Sequence, residues 1–477
     1  MRFAACSATL ALCWLPVALA YSHHYGSSAF KTEDIIVRDV AIIGGGSSGT
    51  HAAISLKDKG KSIVVVEKKA RLGGHTETYT DPSTGIPVDY GVVFFHNNTI
   101  VKNYFNRFEV PLVNSSNGDL RSGDFDFRTG NPVNITRPSP EALGAAFVKY
   151  IAFLSQYPAL DSGLFLSTPV PDDLLLPFGE FVAKYGIGDV VQTFFTTNQG
   201  IGDILTLPVI EVMRVNGLSL TLQGASNSLV TTARHNTSEL YGKAQNELLS
   251  ADSLLLSSEV KSSSRTATGV ELVVKTPSGK KLIRAKKLLI TIPPRLEFLH
   301  PFHLDHRERA VFTKLINFGY YTSIIKDTGI PDDVMVWNYA QDTPYNLPQL
   351  PGIYLIGPNG IPGMKNVYYS SQRSNATFPI PDSNVKADIV TTIKRLQAAN
   401  PGQFNKTDPE FVVYSSHAPF YLGASPEDTK KGIYAEMYAL QGLRNTYWSG
   451  AAWRAQDSSM LWKFNEEVVL PQVLAGL

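Results

Sequence analysis

The sequence predicts an α/β fold, and two stretches of the chain carry that prediction. In the first, an apolar run at 40–43 precedes a helical segment at 48–57 and a second β-rich run at 62–66. Strand, helix and strand in that order are typical of a parallel sheet. The second stretch, 254–294, contains strand-like runs joined by a Pro-Ser-Gly turn and ends in a buried strand. With 477 residues, the chain is long enough for two or three domains.

A glycine motif links the first predicted strand to the first predicted helix. Gly44, Gly46 and Gly49 form a G-x-G-x-x-G pattern. In that pattern the first glycine permits a tight turn, the second admits a pyrophosphate and the third allows close helix packing. The helix begins at Ser48, where backbone N–H groups and the helix dipole favour phosphates. Glu67 follows about 20 residues later, where an acidic residue binds ribose hydroxyls. The sequence therefore predicts a Rossmann-like dinucleotide site.

The segment after Glu67 indicates which dinucleotide binds. Arg71, Gly73, Gly74 and His75 form an R-x-G-G-H turn, where a NAD-binding protein would usually continue into another helix. The turn resembles the R-x-G-G-[RH]-x-x-[ST] segment of the flavin amine oxidase superfamily. The resemblance implies that FAD is the cofactor and that the turn runs beside its pyrophosphate and flavin. It also implies that Arg71 offers its charge to a phosphate.

Two later segments resemble the same superfamily. The family's strand at 258–260 meets the adenine through its backbone, which implies that role for Val260. Residues 442–450 are similar to the strand that ends at the flavin with Gly450. The helix that begins at Ser458 would direct its positive end towards charge that develops on the flavin. Alanines stand where the family has an acidic residue after that glycine, and Asp457 is the candidate to contact the ribityl chain or a phosphate instead.

The resemblance also implies the domain organisation. We expect a glutathione-reductase-type, Rossmann-like FAD-binding domain with an inserted α+β substrate domain. Helical apolar spacing predicts helices at 101–108, 141–156, 172–185, 189–196 and 384–399. The predicted segments are a signal peptide at 1–20, the FAD-binding domain at 21–100, 223–295 and 426–477, a helical substrate-capping region at 101–222, and a substrate-domain β-sheet at 296–425.

The N-terminus has the pattern of a cleaved secretory signal. Arg2 precedes an apolar run at 3–17, and Ala-Leu-Ala at 18–20 forms a small-x-small cleavage site. Both cysteines, Cys6 and Cys13, lie inside this segment, so the mature chain would have no disulfide and no cysteinyl flavin link. A covalent flavin would then need a residue such as His75, for which a plain contact with the flavin or a phosphate is the alternative.

Glycosylation motifs agree with secretion or residence in the secretory-pathway lumen. Six N-x-[ST] sequons suggest a glycoprotein. They begin at Asn97, Asn114, Asn134, Asn236, Asn375 and Asn405.

Composition bears on the partners. The chain has 43 basic and 42 acidic residues, a balance that gives no case for nucleic acid or an anionic membrane as partner. After the signal, no stretch is apolar enough to span a bilayer. His23 and His24 belong to a polar lead-in rather than a metal pair, and no metal site is predicted. We expect a small organic molecule as partner, whereas the sequence does not predict the oligomeric state.

The catalytic residues are less defined. The family usually has a G-x-x-x-K pattern whose lysine holds a water at the reactive flavin nitrogen, but here Ser323 follows Gly319 at that spacing. This departure argues against simple amine oxidation and against oxygen activation through that lysine. The catalytic candidates are His96, Tyr320 and Trp448. His96 has a structural alternative, and Trp448 is either a wall for a flat substrate or a core aromatic.

Function follows from the resemblance, with alternatives. The segments LGGHTETYTDPSTGIPVDYGVVFFHN and TYWSGAAW most resemble the fungal β-cyclopiazonate dehydrogenase group. This implies a secreted FAD-dependent oxidoreductase that dehydrogenates an amine- or indole-containing secondary metabolite by hydride transfer, with or without ring closure. One alternative is a secreted flavin amine or amino-acid oxidase that produces hydrogen peroxide. Another is a redox-inactive protein of the same fold that binds a metabolite.

Overall fold

The computed structural model describes residues 30–115, 120–197 and 200–477. The predicted signal peptide at 1–20, with both cysteines, lies outside the described residues. The strands are β1 Ile35–Ile43, β2 Ile63–Val66, β3 Thr78–Thr80, β4 Pro87–Asp89, β5 Leu112–Asn114, β6 Arg121–Phe125, β7 Val230–Thr232, β8 Leu254–Leu255, β9 Glu259–Arg265, β10 Val270–Thr276, β11 Gly279–Ile290, β12 Ile316–Phe318, β13 Tyr320–Lys326, β14 Val334–Asn338, β15 Gly352–Pro358, β16 Met364–Ser370, β17 Glu410–Ser416, β18 Phe420–Gly423 and β19 Thr446–Trp448.

The helices are α1 Ser47–Asp58, α2 Thr99–Arg107, α3 Pro140–Leu154, α4 Phe178–Tyr185, α5 Val191–Thr197, α6 Val209–Met213, α7 Leu218–Ala225, α8 Ser238–Ser250, α9 Leu296–Leu299, α10 His306–Phe312, α11 Asp382–Ala399, α12 Pro426–Lys430, α13 Ile433–Tyr438, α14 Ser458–Phe464 and α15 Leu470–Leu474. Five of the helices, α3 to α7, follow one another between β6 and β7, and the others are interspersed with strands.

The larger sheet is the Rossmann-like sheet that the sequence predicts. Across the described residues it has seven strands in the order β8-β2-β1-β11-β10-β9, with β19 beside β11. The strands β8, β2, β1, β11 and β19 run parallel, and they are rich in Val, Ile and Leu because both faces are covered. Ile43 is level with Val66 and Ile290, and Ile290 is level with Trp448. The carboxyl ends of four strands therefore meet at one edge, where such folds bind ligands.

The second sheet lies over that edge. Its order is β17-β13-β16-β15-β14-β6. Neighbouring tyrosines on a strand point to opposite faces, so Tyr321 and Tyr369 pack under α11 while Tyr320 and Tyr368 join the main core. The strand β6 comes from the region predicted to be a helical cap and pairs in parallel with β14. One face of this sheet is therefore structural, and the other is turned towards the dinucleotide-binding unit.

The predicted helices at 101–108, 141–156, 189–196 and 384–399 are confirmed as α2, α3, α5 and α11, with ends that differ by a few residues. The single helix predicted at 172–185 is wrong. A short 3-10 turn, Asp172–Leu174, comes first, and α4 begins only after Pro177. Proline lacks the N–H that a continuous helix would need at this position. In the described part of the chain, no helix combines the length and apolar character that a membrane crossing requires.

Candidate functional site

The glycine motif joins β1 to α1 in a tight turn. The N–H of Gly44 donates to the Val66 carbonyl at 3.0 Å. A Cβ on Gly49 would lie 1.9 Å from the Gly44 carbonyl oxygen, so only glycine lets α1 begin this close to the strand. The Thr291 hydroxyl ties β11 to the same turn by donating to the Ile43 and Gly44 carbonyls, each at 3.0 Å.

The start of α1 is open to an anion. Gly46 is the N-cap residue. It has no side chain, so it makes no capping hydrogen bond to the first N–H groups of the helix. The first turn also contains no acidic residue, so the positive end of the dipole has no negative charge from its own helix. The buried hydroxyl of Tyr241 lies beside this helix start, close to the hydroxyls of Ser47, Thr76 and Ser458. This arrangement fits a dinucleotide phosphate.

The second glycine turn packs directly on the first. The Gly73 N–H donates to the Gly45 carbonyl at 2.8 Å. Gly74 has a φ of +59°, and a Cβ there would approach the Cα of Gly46 to 2.9 Å. Any side chain at this position would push the two turns apart. The structure thus brings together the two motifs that the sequence assigned to the cofactor.

Glu67 lies at the end of β2 and holds three backbone segments together. Its buried carboxylate accepts N–H groups from Gly45 at 2.6 Å and from Lys69 at 2.7 Å. Its carbonyl accepts the Ser258 N–H at 2.9 Å, two residues before Val260 in β9. Glu67 and Val260 therefore lie near each other, as expected for residues at the adenosine end of a dinucleotide.

Arg71 differs from its expected role. Its guanidinium donates to the Glu77 carboxylate at 2.6 Å and to the Leu72 and Thr76 carbonyls at 3.1 Å. A phosphate contact was predicted, but the structure commits this charge to a nearby buried carboxylate. The sequence pattern of the turn did not include Glu77, which explains the difference.

The C-terminal segment closes the site from the other side. Gly450 follows β19 and lies against Thr291. The Ser449 hydroxyl is 2.8 Å from that of Ser48 and donates to Asn465 Oδ1 at 2.6 Å. This buried network joins α1 to the end of β19 and to the residues after α14.

The start of α14 meets the start of α1. The Ser47 hydroxyl donates to that of Ser458 at 2.8 Å, and the Trp462 indole N–H donates to Ser47 at 3.0 Å. Ser458 therefore lies at the cradle, which is the space bounded by the glycine turns at 44–49 and 73–74 and by the starts of α1 and α14. Two helix N-termini converge on the edge where the parallel strands end.

Asp457 and His96 form an ion pair. One Asp457 oxygen accepts the Met460 N–H at 2.9 Å and caps α14, and the other lies 3.2 Å from His96 Nε2. Burial alone would lower the pKa of His96, but the charge and hydrogen bond of Asp457 outweigh burial and raise it. Burial alone would raise the pKa of Asp457, but His96 lowers it. Both carboxylate oxygens thus have a partner in the protein, and the contact of Asp457 with the ribityl chain or a phosphate stays a prediction.

His96 also borders a small cavity next to this ion pair. The cavity has a volume of about 260 Å³ and is lined by both polar and apolar side chains. The polar ones include Asp161, Gln223, Ser459 and Lys463. The backbone N–H of His96 donates to the Ser459 hydroxyl at 2.9 Å, which fixes the histidine against the start of α14.

Tyr320 belongs to a buried aromatic cluster on the inner face of the second sheet. Its ring centroid lies 4.9 Å from Phe420, 5.4 Å from His417 and 6.5 Å from Tyr368, with which it is parallel. Burial raises the pKa of Tyr320 well above its usual value, so the phenol stays protonated. Tyr354 packs against Tyr368 in the same cluster. These rings form a mostly apolar surface that also carries the tyrosine hydroxyl groups, and this surface is the aromatic wall.

His417 was missed by the sequence analysis. Its Nε2 lies 3.2 Å from Glu77 Oε2, and its ring stacks on His75 at 4.2 Å with an angle of 9°. Burial alone would raise the pKa of Glu77, but the hydrogen bond and charge of His417 outweigh burial and hold it well below its usual value. Burial and the charges of His417 and Lys69 lower the pKa of His75. No motif marks His417, because its partner is distant in the sequence.

Two other residues lie away from the cradle. Trp448 is completely buried and packs against Phe312 at 4.9 Å and Trp453 at 6.0 Å, so the structure favours the core role over a substrate wall. Lys326, at the other end of β13 from Tyr320, is exposed and pairs with Glu410 at 2.8 Å. The described residues also contain no group of three or more His, Cys, Asp or Glu side chains suited to a metal.

Known proteins with similar sequences include dinucleotide-binding domains and FAD-dependent enzymes, which agrees with a dinucleotide site at the cradle. Residues 42–108 match the family model for an NAD(P)-binding Rossmann-like domain. A FAD-dependent oxidoreductase of Cochliobolus heterostrophus, oblC, is 49% identical over 94% of this chain and 93% of its own. The β-cyclopiazonate dehydrogenase of Aspergillus oryzae is 34% identical over 93% of this chain and 94% of its own.

Solved structures share the fold at low sequence identity. A fatty acid isomerase from P. acnes has a TM-score of 0.73 and 18% identity, covering 91% of this chain and 98% of that chain. A putrescine oxidase bound to putrescine has a TM-score of 0.63 and 15% identity, covering 92% and 99%. The fold is therefore that of the flavin amine oxidase class.

Within that class, the chain belongs to the family of FAD-dependent oxidoreductases that includes β-cyclopiazonate dehydrogenase. The predictions of an α/β Rossmann-like fold, of a flavin amine oxidase-like family and of an oxidoreductase enzyme are confirmed. FAD, the cofactor that the sequence predicted, is the cofactor in the name of this family.

Proposed function

We propose that this enzyme dehydrogenates an amine- or indole-containing secondary metabolite, with or without ring closure, in the secretory pathway or outside the cell. The observation that carries the proposal is the position of a buried aromatic wall next to the two packed glycine turns. His75 follows the second turn directly and stacks on His417, which in turn packs against Tyr320. A cofactor in the cradle and a flat substrate on the wall would thus be neighbours.

The chain's own residues fit FAD. We propose that the open start of α1 holds the pyrophosphate, that Glu67 and Val260 bind the adenosine end and that Ser458 contacts the flavin end. When bound, FAD supplies an acceptor for the hydride that leaves the substrate. The other proposed cofactor-binding residues would line the path between the adenosine end and the flavin end of the cofactor. The proposed cofactor-binding residues are Gly44, Gly46, Ser48, Gly49, Glu67, Gly73, Gly74, His75, Val260, Gly450 and Ser458, with Arg71 and Asp457 acting through Glu77 and His96.

The aromatic wall supports a flat substrate. Tyr320, Tyr368 and Phe420 offer ring faces, and ring stacking favours an indole or another aromatic group over a short aliphatic amine. Relatives at 34% identity are named for β-cyclopiazonate, which also supports this substrate class. A peroxide-forming amine oxidase has less support, because Ser323 stands where the superfamily has its lysine and Lys326 lies on the surface.

The visible spectrum of the purified protein tests the cofactor. We expect an oxidised flavin spectrum, and β-cyclopiazonate or tryptamine should bleach it without oxygen whereas putrescine should not. Acid precipitation then tests attachment, because flavin that stays in the pellet would be covalent and would make His75 the first residue to replace. A colourless protein would instead favour the redox-inactive binding protein, and bleaching by putrescine with peroxide release would favour the amine oxidase.

A matched pair of variants tests the cradle itself. Gly74→Ala and Gly60→Ala both place alanine in the left-handed region, at a cost of about 1–2 kcal/mol. The Cβ on Gly74 meets Gly46, whereas the Cβ on Gly60 has no neighbour within 4 Å among the described residues. We therefore expect flavin content to fall several-fold in Gly74→Ala only. Equal flavin content in both variants would contradict the proposed cradle.

A further inference from the structure

We propose that His417 is the residue that accepts the substrate proton during dehydrogenation and that Glu77 positions it. The inference rests on the proposed function, since it names the base for that reaction. It starts from geometry. His417 lies between the cradle and the aromatic wall, stacked on His75 at 4.2 Å and set edge-on to Tyr320 at 5.4 Å.

Glu77 fixes which nitrogen of His417 carries the proton. Its Oε2 lies 3.2 Å from His417 Nε2, and an ionised carboxylate accepts hydrogen bonds only. The neutral imidazole must then carry its proton on Nε2, which leaves the Nδ1 lone pair available. Nδ1 has no hydrogen-bond partner in the described ranges. This is the carboxylate–imidazole arrangement that prepares a histidine to take up a proton.

The surroundings keep Glu77 charged. Its other oxygen receives Arg71 at 2.6 Å and Lys69 at 3.4 Å, and the Ser415 hydroxyl also bonds to the carboxyl group. A permanent negative charge next to the ring stabilises the imidazolium that forms when His417 accepts a proton. The charged and titratable groups that face His417 are thus Glu77 directly, His75 and Tyr320 through their rings, and Lys69 and Arg71 through Glu77.

The other candidates suit a base less well. His96 also pairs with a carboxylate, but it lies at the start of α14 and borders the small cavity instead of the aromatic wall. Burial raises the pKa of Tyr320, so its phenol stays protonated and cannot accept a proton. Glu77 bonds to His417 and influences His75 only through its charge. The position and the partner of His417 together distinguish it from all three.

The proposed step balances in atoms and electrons. The substrate C–H bond breaks and its electron pair leaves with the hydrogen as hydride, for which FAD, when bound, would be the acceptor. An N–H or O–H bond of the substrate breaks, and its proton passes to His417 Nδ1. The substrate thus loses two hydrogens and gains a double bond, and the imidazolium returns its proton to water when the product leaves.

The kinetic test follows flavin bleaching by rapid mixing. The substrate is the compound from the panel of β-cyclopiazonate, tryptamine and putrescine that reduces the flavin of the wild type. A rate that needs neutral His417 falls at acidic pH. We expect His417→Asn to slow bleaching by about 100-fold or more and to lose this acidic limb. Glu77→Gln should also slow bleaching, because the imidazolium that forms on His417 loses its stabilising charge. His306→Asn, an exposed histidine in α10, is the control and should match the wild type.

A second measurement needs no substrate and no turnover. Nitrogen NMR of histidine-labelled protein, with the His417→Asn spectrum to assign the signal, reports which ring nitrogen carries the proton. We expect His417 to carry it on Nε2 in the wild type and to lose this preference in Glu77→Gln. His417→Gln serves as a second replacement if His417→Asn does not fold.

The outcomes separate the two proposals. A wild-type flavin that no panel compound bleaches contradicts the proposed function, while the NMR result still decides the state of His417. A wild type that is bleached, together with a His417→Asn rate and pH profile like those of the wild type, overturns the inference and leaves the proposed function intact. A proton on Nδ1 of His417 also overturns it.

Discussion

At the scale of single residues, the His96–Asp457 pair joins positions from opposite ends of the chain. Asp457 caps α14 and faces His96 Nε2 at 3.2 Å, and both side chains are largely buried. Each residue shifts the pKa of the other towards its charged form. The pair therefore stabilises the fold only in the pH range where both residues are charged.

This pair predicts how stability depends on pH. Because the folded-state pKa of His96 is raised, its contribution is fully present below the unfolded value of 6.5 and is lost as pH rises through the folded value. Asp457, whose pKa is lowered, contributes above 3.8 and loses its effect only at more acidic pH. We expect His96→Gln to cost about 2 kcal/mol near pH 5.5 and less near pH 8.5.

Urea denaturation of wild type and variant at the two pH values measures the difference in their free energies of unfolding. His306→Gln, which replaces an exposed histidine in α10, serves as the control because surface substitutions usually change stability by less than about 0.5 kcal/mol. If the difference in free energy of unfolding between wild type and His96→Gln stays constant or grows as pH rises, the pair is not ionic.

The sequence predicted single residues well where a local motif sets their role. Gly44, Gly49 and Gly74 lie where the spacing indicates, because each is required by the backbone within a few residues. Arg71 and Asp457 instead took partners, Glu77 and His96, that the motif does not include. The partner of a charged side chain depends on packing between distant segments, and local spacing does not contain that information.

At the scale of elements, one buried arginine holds the turn that follows β19. Arg214, at the end of α6, donates to the carbonyls of Ala451 at 2.6 Å and Ala452 at 2.7 Å and to Glu211 at 3.1 Å. It also donates to the Arg454 carbonyl. The helical region thus fixes the segment between Gly450 and α14, on which the flavin end of the cradle depends.

We predict that Arg214→Met destabilises the protein by about 3–5 kcal/mol, because it leaves Glu211 buried without its charged partner. Flavin should also dissociate more readily, since the turn loses its anchors. Arg121→Met breaks an exposed pair with Asp333 and is the matched control, with an expected cost below about 1 kcal/mol. Thermal unfolding followed by flavin fluorescence measures both effects, and equal midpoints for the two variants would contradict the role of Arg214.

Elements with a strong local period were predicted, and those defined by pairing were not. The apolar spacing of α3 and α11 identifies them from sequence alone. The strand β6 has no comparable pattern and becomes a strand because it pairs with β14, more than 200 residues away. Its pairing replaces the helical structure expected for that region.

At the scale of the whole molecule, the exposure of the sequons bears on secretion. Asn114, Asn134, Asn375 and Asn405 are exposed, whereas the Asn97 Oδ1 atom is buried and the Asn97 backbone N–H is bonded to Gln223. If the chain enters the secretory pathway, the four exposed asparagines are open to a glycan. Asn97 is a poor acceptor once the protein has folded.

We expect protein secreted from a fungal host to lose mass on glycosidase treatment and to start near Tyr21. Peptide mapping should show conversion to aspartate at Asn114, Asn134, Asn375 and Asn405 and not at Asn97. Treatment with a reductant should leave the melting temperature unchanged, because the mature chain would have no cysteine. An intact mass that retains residues 1–20 would contradict the predicted cleavage.

The cradle is assembled from both ends of the chain, and this sets when it can form during synthesis. Ser47 and its hydrogen-bond partner Ser458 are 411 residues apart. The ribosome makes the glycine turns long before β19 and α14. A nascent chain therefore cannot complete the cradle until α14 has left the ribosome, so the glycine turns must wait for a distant segment before they can hold a ligand.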